Sequence, residues 1–578
     1  MNRNRSVVRV EALEDRLAPA TVATVREAVG GAVEVLTARD QFRVDLGGGV
    51  VAGANGSFGG VRREINWDGT PDAKSSPNPL PGDFFNTTSP RGAVFQTPGA
   101  GFQVSATLAS GQPVRFGNID PTYPAEFAAF SPQRLFTPVG STVTDVLFFV
   151  PGTATPAVVT GFGAVFADVD LASVSKLEFF DVRGRKIAEE DVPAVGGSGT
   201  FAFLGVTFTE AAVARVRITT GNTALASSVT DAPADGRDLV VLDDFLYGEP
   251  VRPVDRVVPV GAGEGTLGQV NVLQPDGTSF GTVTPFPGGF TGGVRVAAGD
   301  VNNDGVLDTV VGSGPGAATA VRVLDGRTQA VLFDTTPFEE AFTGGVFVAS
   351  GDLNGDGFAE VIVTPDQGGG PRVRVFSGNG FNQLADFFGI EDPNFRGGAR
   401  AAVGDLTSDG KGDLLVAAGF GGGPRLAGFE GASVAANAPV KPFADFFVFE
   451  QTLRNGVYVA AGDLNGDGFA DVIAGGGPGG GPRIYAVDGK ALIASVGASR
   501  IQVANFFATD DVNNRGGVRV AARDLNADGR SDIIAGDGPG AGARVRAFDS
   551  ATLAADGRPP ELYAVDAFAD ATNGVYVG

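Results

Sequence analysis

The chain of 578 residues contains 88 glycines, 43% hydrophobic and 19% charged residues, and carries a formal net charge of -23. This composition is typical of a folded, turn-rich chain, and the acidic excess argues against nucleic acid or an anionic membrane as a partner, because phosphate is bound mainly by Lys and Arg. Cysteine and histidine are absent, which excludes disulfides, thiolate or imidazole metal sites and histidine-dependent hydrolases but leaves carboxylate-only catalysis open.

The N-terminal segment, residues 1–25, predicts export. From Glu11 it reads Glu-Ala-Leu-Glu-Asp-Arg-Leu-Ala-Pro-Ala, without the apolar core of a secretory signal. This run resembles a short N-terminal motif of large exported and surface proteins of some bacteria, although Asp15 stands where proline is common. No apolar run reaches the roughly 18 residues of a membrane-spanning helix. We expect a bacterial extracellular or cell-surface protein without membrane insertion, by an export route that the motif does not specify.

Residues 26–248 predict a β-sandwich, because short apolar or alternating runs follow one another between turn residues. Three runs, beginning at Gly161, Leu177 and Val240, resemble a jelly-roll domain of exported bacterial proteins, which implies sugar binding. The single tryptophan, Trp67, is interpreted either as a platform for a sugar ring or as a core or loop anchor. The predicted strands span 161–169, 176–181, 186–188, 200–208, 214–219 and 239–247.

Residues 249–256 predict a linker, since Pro250 and Pro253 favour an extended connection. Beyond it, aspartate-rich loops recur at spacings of 52, 53, 58 and 61 residues. Each repeat has four runs rich in Val, Ile and Phe, which predicts four antiparallel strands, and no segment has helical periodicity long enough for a helix. Units of this kind cannot bury their own faces and are typical of propeller blades. We therefore predict an all-β chain with a β-propeller over residues 257–578.

The two ends of the repeat region predict how the ring closes. Residues 257–286 match the last three strands of a unit, and residues 573–578 match a first strand. Together they would complete a sixth blade beside five full ones, so that no strand edge is left unpaired. The alternative is that Gly578 is an arbitrary chain end and the array is incomplete.

The five loops all fit the pattern D-x-[NT]-x-D-G-x-x-[DE]. Calcium takes six to eight oxygen ligands, which a short loop supplies when alternate residues point inward around a sharp glycine turn. Positions 1, 3, 5 and 9 would give side-chain oxygens and position 7 a backbone carbonyl. The predicted ligands are Asp300, Asn302, Asp304, Val306 and Asp308; Asp352, Asn354, Asp356, Phe358 and Glu360; Asp405, Thr407, Asp409, Lys411 and Asp413; Asp463, Asn465, Asp467, Phe469 and Asp471; and Asp524, Asn526, Asp528, Arg530 and Asp532.

These loops predict up to five Ca²⁺ ions. Three carboxylates within one turn repel one another without a cation, and the alternative is a set of plain acidic hairpin turns. An EF-hand is rejected because position 12 is Val or Ala rather than Glu. The loop from Asp405 to Asp413 is predicted to bind most weakly, because Thr407 offers a hydroxyl where the others offer an amide oxygen.

With these loops, the units resemble FG-GAP or VCBS repeats, which are related to the calcium-binding blades of the integrin α-subunit. The Gly-Pro element of the family stands at Gly314-Pro315, Gly423-Pro424, Gly477-Pro478 and Gly538-Pro539, whereas another unit has Thr364-Pro365 and Gly370-Pro371. Integrin propellers have seven blades against the six counted here, so the resemblance does not carry over integrin-type partner binding.

Two recurrent residue types are candidate binding surfaces. Arg372, Arg425, Arg483 and Arg544 are interpreted as a rim for acidic ligands or, in preference, as structural donors to turn carbonyls and carboxylates. The pairs Phe387-Phe388, Phe446-Phe447 and Phe506-Phe507 are interpreted as a binding surface or, in preference, as packing between blades.

The favoured hypothesis is a non-catalytic surface or secreted protein whose calcium-stabilised propeller binds a glycan or a protein. The alternatives are a carboxylate-dependent glycosidase or lyase and a structural spacer in a surface assembly. The sequence specifies no oligomeric state.

Overall fold

The computed structural model describes residues 22–209, 211–253, 255–511, 513–569 and 571–578. The chain divides into two compact units, residues 1–254 and 255–578. The division falls inside the predicted linker, but Val251 still pairs with Val158 of the first unit. Of the predicted export motif, residues 1–21 lie outside the described residues and residues 22–25 begin the first strand.

The first unit is mainly β. Its strands are β1 (Val22–Gly30), β2 (Ser57–Phe58), β3 (Arg62–Ile65), β4 (Ala93–Gln96), β5 (Gly101–Val104), β6 (Phe136–Val139), β7 (Val143–Phe148), β8 (Gly161–Ala167), β9 (Lys176–Phe180), β10 (Lys186–Asp191), β11 (Phe201–Phe208), β12 (Arg215–Thr219) and β13 (Val241–Gly248), and its helices are α1 (Ala32–Asp45), α2 (Phe84–Thr87) and α3 (Tyr123–Glu126).

These strands form two antiparallel sheets. One has the order β1-β11-β8-β13-β3-β2, with β6 joining β13 and β5 joining β6; the other has the order β10-β9-β12-β7-β4. Side chains from both sheets, such as Phe148 and Phe162, share one buried core. Each predicted strand run matches an observed strand within a few residues. The two-sheet arrangement agrees with the predicted sandwich, and the jelly-roll topology stays a prediction.

Helix α1 contradicts the expectation that no segment forms a helix, which rests on the lack of a sustained helical periodicity. Its apolar residues Val33, Leu36 and Val44 are exposed, whereas Val35 and Phe42 are buried, so the apolar positions follow no single helical face. The ring of Phe42 lies where a Cβ on Gly163 or Gly205 would come within 2.8 Å of it. Two glycines in neighbouring strands therefore make room for the helix on the sheet.

The second unit contains twenty-four strands within its described residues, with two short helices, α4 (Gly431–Ala435) and α5 (Gly489–Ala494). The strands are β14 (Val258–Ala262), β15 (Val270–Leu273), β16 (Ser279–Val283), β17 (Val294–Gly299), β18 (Asp308–Ser313), β19 (Val321–Leu324), β20 (Val331–Thr335), β21 (Val346–Gly351), β22 (Glu360–Pro365), β23 (Arg372–Phe376), β24 (Gln383–Phe388), β25 (Ala399–Gly404), β26 (Asp413–Ala418), β27 (Arg425–Phe429), β28 (Phe446–Phe447), β29 (Val457–Gly462), β30 (Asp471–Gly476), β31 (Arg483–Val487), β32 (Gln502–Phe507), β33 (Val518–Arg523), β34 (Asp532–Asp537), β35 (Arg544–Phe548), β36 (Glu561–Asp566) and β37 (Val575–Val577).

In the described part of this unit, the strands form six four-stranded antiparallel sheets. Five sheets take four consecutive strands each, starting with β17, β21, β25, β29 and β33. The sixth has the order β16-β15-β14-β37, in which Val577 pairs with Val260 and Val575 with Ala262. The last strand thus completes the sheet that the first strands of the unit begin.

The first strand of each sheet contacts the first strand of the next. These contacts run from β17 through β21, β25, β29 and β33 to β37, and β37 also contacts β17. Apolar side chains of adjacent sheets fill the space between them; Phe506 of β32, for example, packs edge-on against Phe548 of β35. Each aspartate-rich loop connects the first two strands of its sheet.

Candidate functional site

The first aspartate of each loop organises the turn through backbone hydrogen bonds. In the first loop, Asp300 Oδ1 accepts from Asp304 N at 3.0 Å and Asp300 Oδ2 accepts from Gly305 N at 2.9 Å. The Oδ1 atom of Asp304 in turn accepts from Val306 N at 2.9 Å. Two of these bonds recur in all five loops. The N–H of the glycine at position 6 donates to the carboxylate at position 1, and the N–H at position 7 donates to the carboxylate at position 5.

Positions 4 and 6 both have left-handed backbone. The glycine at position 6 has φ between 82° and 90°, as the predicted sharp turn requires. Position 4 also has positive φ in every loop, at Asn303, Gly355, Ser408, Gly466 and Ala527. The sequence reasoning identified the turn at position 6 and missed the one at position 4, because the residue type there varies.

The carboxylate at position 9 is buried and links two parts of its sheet. Asp471 is fully buried; its Oδ2 accepts from Leu464 N at 3.1 Å and its Oδ1 from Gly489 N at 2.9 Å, 18 residues further along the chain. The same pair of bonds is made by Asp308, Asp413 and Asp532. Burial raises the pKa of Asp308 and of Asp471 to about 7.

Glu360 takes position 9 in the second loop and bonds differently. Its Oε2 accepts from Leu353 N at 2.7 Å, and its Oε1 accepts from Asn354 Nδ2 at 3.1 Å. Burial raises its pKa to about 7 as well. Glu has one methylene more than Asp. Its carboxylate therefore reaches the side chain at position 3 and does not accept from the backbone N–H 18 residues further along the chain, as the aspartates do.

Successive loops are joined to one another by a chain of hydrogen bonds. The backbone N–H at position 8 of each of the last four loops donates to the carbonyl of position 1 in the preceding loop, at 2.7 to 2.8 Å. In the first loop the corresponding N–H, of Leu307, donates to the carboxylate of Asp255 at 3.0 Å. The sheet of order β16-β15-β14-β37 has no aspartate-rich loop, and Asp255 supplies the acceptor that a loop carbonyl supplies elsewhere. This role was not identified from the sequence.

The loop from Asp405 to Asp413 differs at position 3. In the other four loops the Asn side-chain oxygen accepts from the N–H of position 5, as Asn465 does from Asp467 at 2.9 Å. Thr407 instead donates its hydroxyl to Asp413 Oδ2 at 3.0 Å. This loop therefore lacks one of the bonds that hold the other loops in shape.

The predicted ligands fit a hard cation in donor type, since positions 1, 3, 5 and 9 present side-chain oxygens and position 7 presents a backbone carbonyl. The structure places positions 3, 5 and 7 in the turn and position 9 at the first residue of the following strand. No loop within the described residues has its three carboxylates within 4.8 Å of one another. In each loop the position 9 carboxylate is engaged by backbone or amide N–H groups as described above. The ligand assignments stay predictions.

One close group of three carboxylates lies in the first unit and was not predicted. Ligand atoms of Glu126, Asp168 and Asp231 all lie within 4.8 Å of one another. Asp168 is fully buried, and no N–H group of the described residues donates to either of its carboxylate oxygens. Burial, with Glu126 as the next cause, raises the pKa of Asp168 to about 9, and burial raises that of Asp231 to about 6. These residues are far apart in sequence and show no motif.

The recurrent arginines are structural donors, which is the interpretation preferred from the sequence over a rim for acidic ligands. Arg372 forms two bonds with Asp386, at 2.5 and 2.6 Å, and Arg425 bonds Asp445. Arg483 donates to Asn505 at 3.0 Å, and Arg544 pairs with Asp566 at 3.4 Å. Three of them therefore tie the third strand of their sheet to the fourth, and Arg425 ties its strand to the residue directly before the fourth strand.

In each phenylalanine pair, the first residue packs in the interior and the second is exposed. Phe387 packs edge-on against Phe429 of the next sheet, and Phe446 and Phe506 are buried. The second members, Phe388, Phe447 and Phe507, are 50%, 39% and 43% exposed. Packing between sheets thus accounts for only the first residue of each pair.

Trp67 is a core anchor and is not available to a sugar ring. It is 1% exposed, its ring stacks on Phe136 with centroids 4.2 Å apart, and Nε1 donates to the carbonyl of Asp243 at 2.8 Å. The hypothesis of sugar stacking at this residue is wrong. Across the described residues, no helix has the length and apolar character needed to cross a membrane.

Residues 352–416 match the family of FG-GAP-like repeats. This segment includes the loops at Asp352 and Asp405, so the second unit carries FG-GAP-like repeat sequence. Integrin alpha-V of Gallus gallus is 31% identical over 144 residues, which are 22% of this chain and 14% of the integrin. The chain thus spans about a seventh of the length of this curated relative.

Several solved structures are similar to about half of the chain. They include a functionally unknown protein from Desulfotomaculum acetoxidans (TM-score 0.33, 9% identity, 52% of this chain and 78% of that one) and the Dos1 propeller (TM-score 0.30, 10% identity, 54% and 68%). Rhamnogalacturonan lyase YesW is a third (TM-score 0.24, 12% identity, 52% and 65%). The fold assignment rests on the strand pairing rather than on these low scores.

Proposed function

We propose that this chain is a non-catalytic, calcium-binding extracellular or cell-surface protein that binds a glycan or a protein ligand. The observation that carries the proposal is the chain of five loops with the same oxygen-bearing positions, in which each of the last four loops is hydrogen-bonded to the one before. Cations at these positions would bind folded loops and not the unfolded chain, and would stabilise the folded state accordingly. Five Ca²⁺ ions would offset ten of the 23 net negative charges.

The proposal includes a closed ring of six blades in the second unit. It is supported by the pairing of β37 with β14 and by the contacts between the first strands of successive sheets. A further support is Arg295 of β17, whose guanidinium lies over the rings of both Phe347, in the next sheet, and Tyr576, in the last strand. Closure would remove the exposed strand edges that favour aggregation.

The extracellular location is supported by the likeness to integrin alpha-V. Extracellular calcium modules have affinities of about 10⁻⁴ to 10⁻³ M, and sites on short loops would suit such a location. A bacterial surface location rests on the N-terminal motif alone. We propose that the ligand binds to the sheet faces of the second unit or to the first unit, and we assign no residue to this binding.

The test is calcium stoichiometry combined with thermal unfolding of the full chain. We expect up to five Ca²⁺ per chain by elemental analysis after dialysis, and a melting temperature that falls in excess chelator. Asp463→Ala should lower the stoichiometry by one, whereas Asp392→Asn, a charge removal in an exposed turn outside the loops, should leave it unchanged. Protein without bound calcium whose melting is insensitive to chelator would overturn the proposal.

The competing hypothesis of a polysaccharide-active hydrolase or lyase has its own test. Cleavage of a polysaccharide panel that is abolished by a single carboxylate substitution outside the five loops would replace the non-catalytic role. A spacer role would be indicated if each unit alone and the full chain bound nothing in calcium-dependent glycan and protein screens.

A further inference from the structure

A ring of alternating arginine and aromatic side chains surrounds the axis of the second unit. The second residue of each sheet's first strand is, in turn, Arg295, Phe347, Arg400, Tyr458, Arg519 and Tyr576. Each guanidinium lies between two rings, with Arg400 at 5.3 Å from the centroid of Phe347 and 3.8 Å from that of Tyr458. The other two arginines lie 4.7 to 5.3 Å from their ring centroids.

The three guanidinium groups are almost completely removed from solvent. Arg295, Arg400 and Arg519 are 1%, 4% and 3% exposed. Burying a charge is unfavourable unless it is paired with an opposite charge or fully hydrogen-bonded. Contact with aromatic faces compensates only part of this cost.

The three arginines differ in how they are paired. Arg295 forms ion pairs with Glu264 at 3.0 Å and Asp366 at 2.7 Å. Arg519 donates to the backbone carbonyl of Asp537 at 3.0 Å. For Arg400, Nε and Nη1 are buried and have no hydrogen-bond partner among the described residues.

These side chains open onto a recess of about 530 Å³ at one end of the axis, which Arg400 and Arg519 line together with Phe347, Tyr458 and Tyr576. This volume falls in the range of sites for small organic ligands. Glu264 and Asp366, the two ion-pair partners of Arg295, also line it, whereas Arg295 itself does not. The three arginines and these two carboxylates together carry a net charge of +1. Both carboxylates pair with Arg295, Arg519 donates to a backbone carbonyl, and Arg400 is the arginine whose buried Nε and Nη1 have no hydrogen-bond partner among the described residues.

From this geometry we infer that the recess binds a small organic monocarboxylate, with its carboxylate on Arg400 and its remaining atoms against the aromatic rings. A planar carboxylate matches the guanidinium fork in shape, and one negative charge balances the site. A dianion such as sulfate would exceed that balance and meet Glu264 and Asp366, and a neutral sugar would leave Arg400 unpaired. The inference deepens the proposed binding role by naming a ligand class, but it does not depend on calcium.

The carboxylate could belong to an acidic sugar or to a simple organic acid, and titration calorimetry on the full chain separates these sources. D-glucuronate, acetate, D-glucose and sulfate are the probes. We expect one site for glucuronate, with acetate competing for it, and no measurable binding of glucose. Tighter binding of glucuronate than of acetate would identify an acidic sugar, and equal binding a general carboxylate site.

Arg400→Gln should weaken glucuronate binding at least tenfold and abolish the rise in melting temperature that the ligand causes. Arg396→Gln, which removes an exposed arginine from the turn before the same strand, is the matched control and should bind as the wild type does. Should Arg400→Gln fail to fold, Arg400→Lys keeps the charge but loses the fork and should bind several-fold more weakly.

The inference is overturned if the wild type binds none of the carboxylates, if glucose binds as well as glucuronate, or if the substitutions at Arg400 leave binding unchanged. Its failure is distinguishable from that of the calcium proposal. One-site glucuronate binding by a protein insensitive to chelator would uphold this inference alone, whereas calcium binding without carboxylate binding would uphold only the calcium proposal.

Discussion

Asp168 shows how burial sets the chemistry of a single side chain. It lies directly after strand β8, is fully buried, and has Glu126 and Asp231 beside it. Three carboxylates at this distance cannot all be charged at low cost, so either a proton or a cation must be held among them. The raised pKa of Asp168, about 9, describes the state in which a proton is held among the three carboxylates.

This pKa predicts that the first unit loses stability as the pH rises. The folded chain keeps the Asp168 proton up to about pH 9, whereas the unfolded chain releases it near 3.8, its ordinary pKa. Because the folded state binds more protons between these values, its stability falls across this window. The folded and unfolded pKa values differ by about five, and a difference of one is equivalent to about 1.4 kcal/mol. In chelator, Asp168→Asn should therefore be more stable than the wild type at pH 9, by on the order of 6 kcal/mol, and nearly equal at pH 4.

Urea unfolding of the first unit's transition at pH 4, 7 and 9 measures this difference. Asp235→Asn, in an exposed turn of the same unit, controls for the loss of one acid and should show no such trend. Parallel pH profiles of the wild type and Asp168→Asn would contradict the assignment of the proton to this residue.

The buried carboxylate at position 9 predicts a stability effect separate from metal binding. Asp471→Ala would leave the N–H groups of Leu464 and Gly489 without acceptors, at a cost of about 2 to 4 kcal/mol in the free energy of unfolding. Asp467→Ala, at the more exposed position 5 of the same loop, should cost less than about 1 kcal/mol. Urea unfolding in chelator measures both, and equal losses would show that position 9 has no special structural role.

At the scale of elements, each loop is a turn whose shape is set by its own side chains. Asp at position 1 and Asn at position 3 bond the backbone ahead of them, as short polar side chains do in turns. The loop at Asp405 lacks the Asn bond, and its Thr407 hydroxyl is directed to Asp413. Position 3 therefore distinguishes this loop from the other four.

This difference predicts that the loop from Asp405 to Asp413 has the weakest calcium affinity. Thr407→Asn should tighten the binding at this loop several-fold, because it restores an amide oxygen to the set of ligands. The reciprocal change, Asn465→Thr, should weaken the binding at its own loop to a similar degree. Competition with a chelator dye measures both; equal calcium loss when the first Asp of each loop in turn is changed to Ala would refute the ranking.

At the scale of the whole molecule, the second unit depends on its own last strand. Val575–Val577 pairs along β14, and the N–H of Gly578 donates to the carbonyl of Pro259 at 3.1 Å. Without this strand, backbone groups of β14 would lie at an open edge, which is available for pairing with other chains. The strand also places Tyr576 between Arg295 and Arg519.

Removal of residues 573–578 should therefore lower the melting temperature by several degrees and promote self-association. A synthetic peptide of residues 571–578 added in trans should restore both properties, and a peptide of the same composition in scrambled order should not. Calorimetry and size-exclusion chromatography measure the two effects. A truncated chain that melts and elutes like the full chain would favour the alternative of an array that is not closed by its last strand.

The sequence by itself determined the features that depend on neighbours along the chain. Strand runs, the turn at position 6, the oxygen pattern of the loops and the recurrence of the units all follow from local residue order, and the structure has strands and turns where the sequence places them. The match of residues 352–416 to FG-GAP-like repeats agrees with the resemblance read from those loops. Helix α1 was missed because exposed apolar residues obscure its period.

Only the tertiary structure decided which distant residues meet. The carboxylates of Glu126, Asp168 and Asp231 come from three separate segments, and the arginine and aromatic ring takes one residue from each of six sheets. Asp255 stands in for a missing loop solely because the fold brings it to Leu307. Burial then fixes what these groups can do, because a charge removed from water must keep a proton, find a partner or bind a ligand.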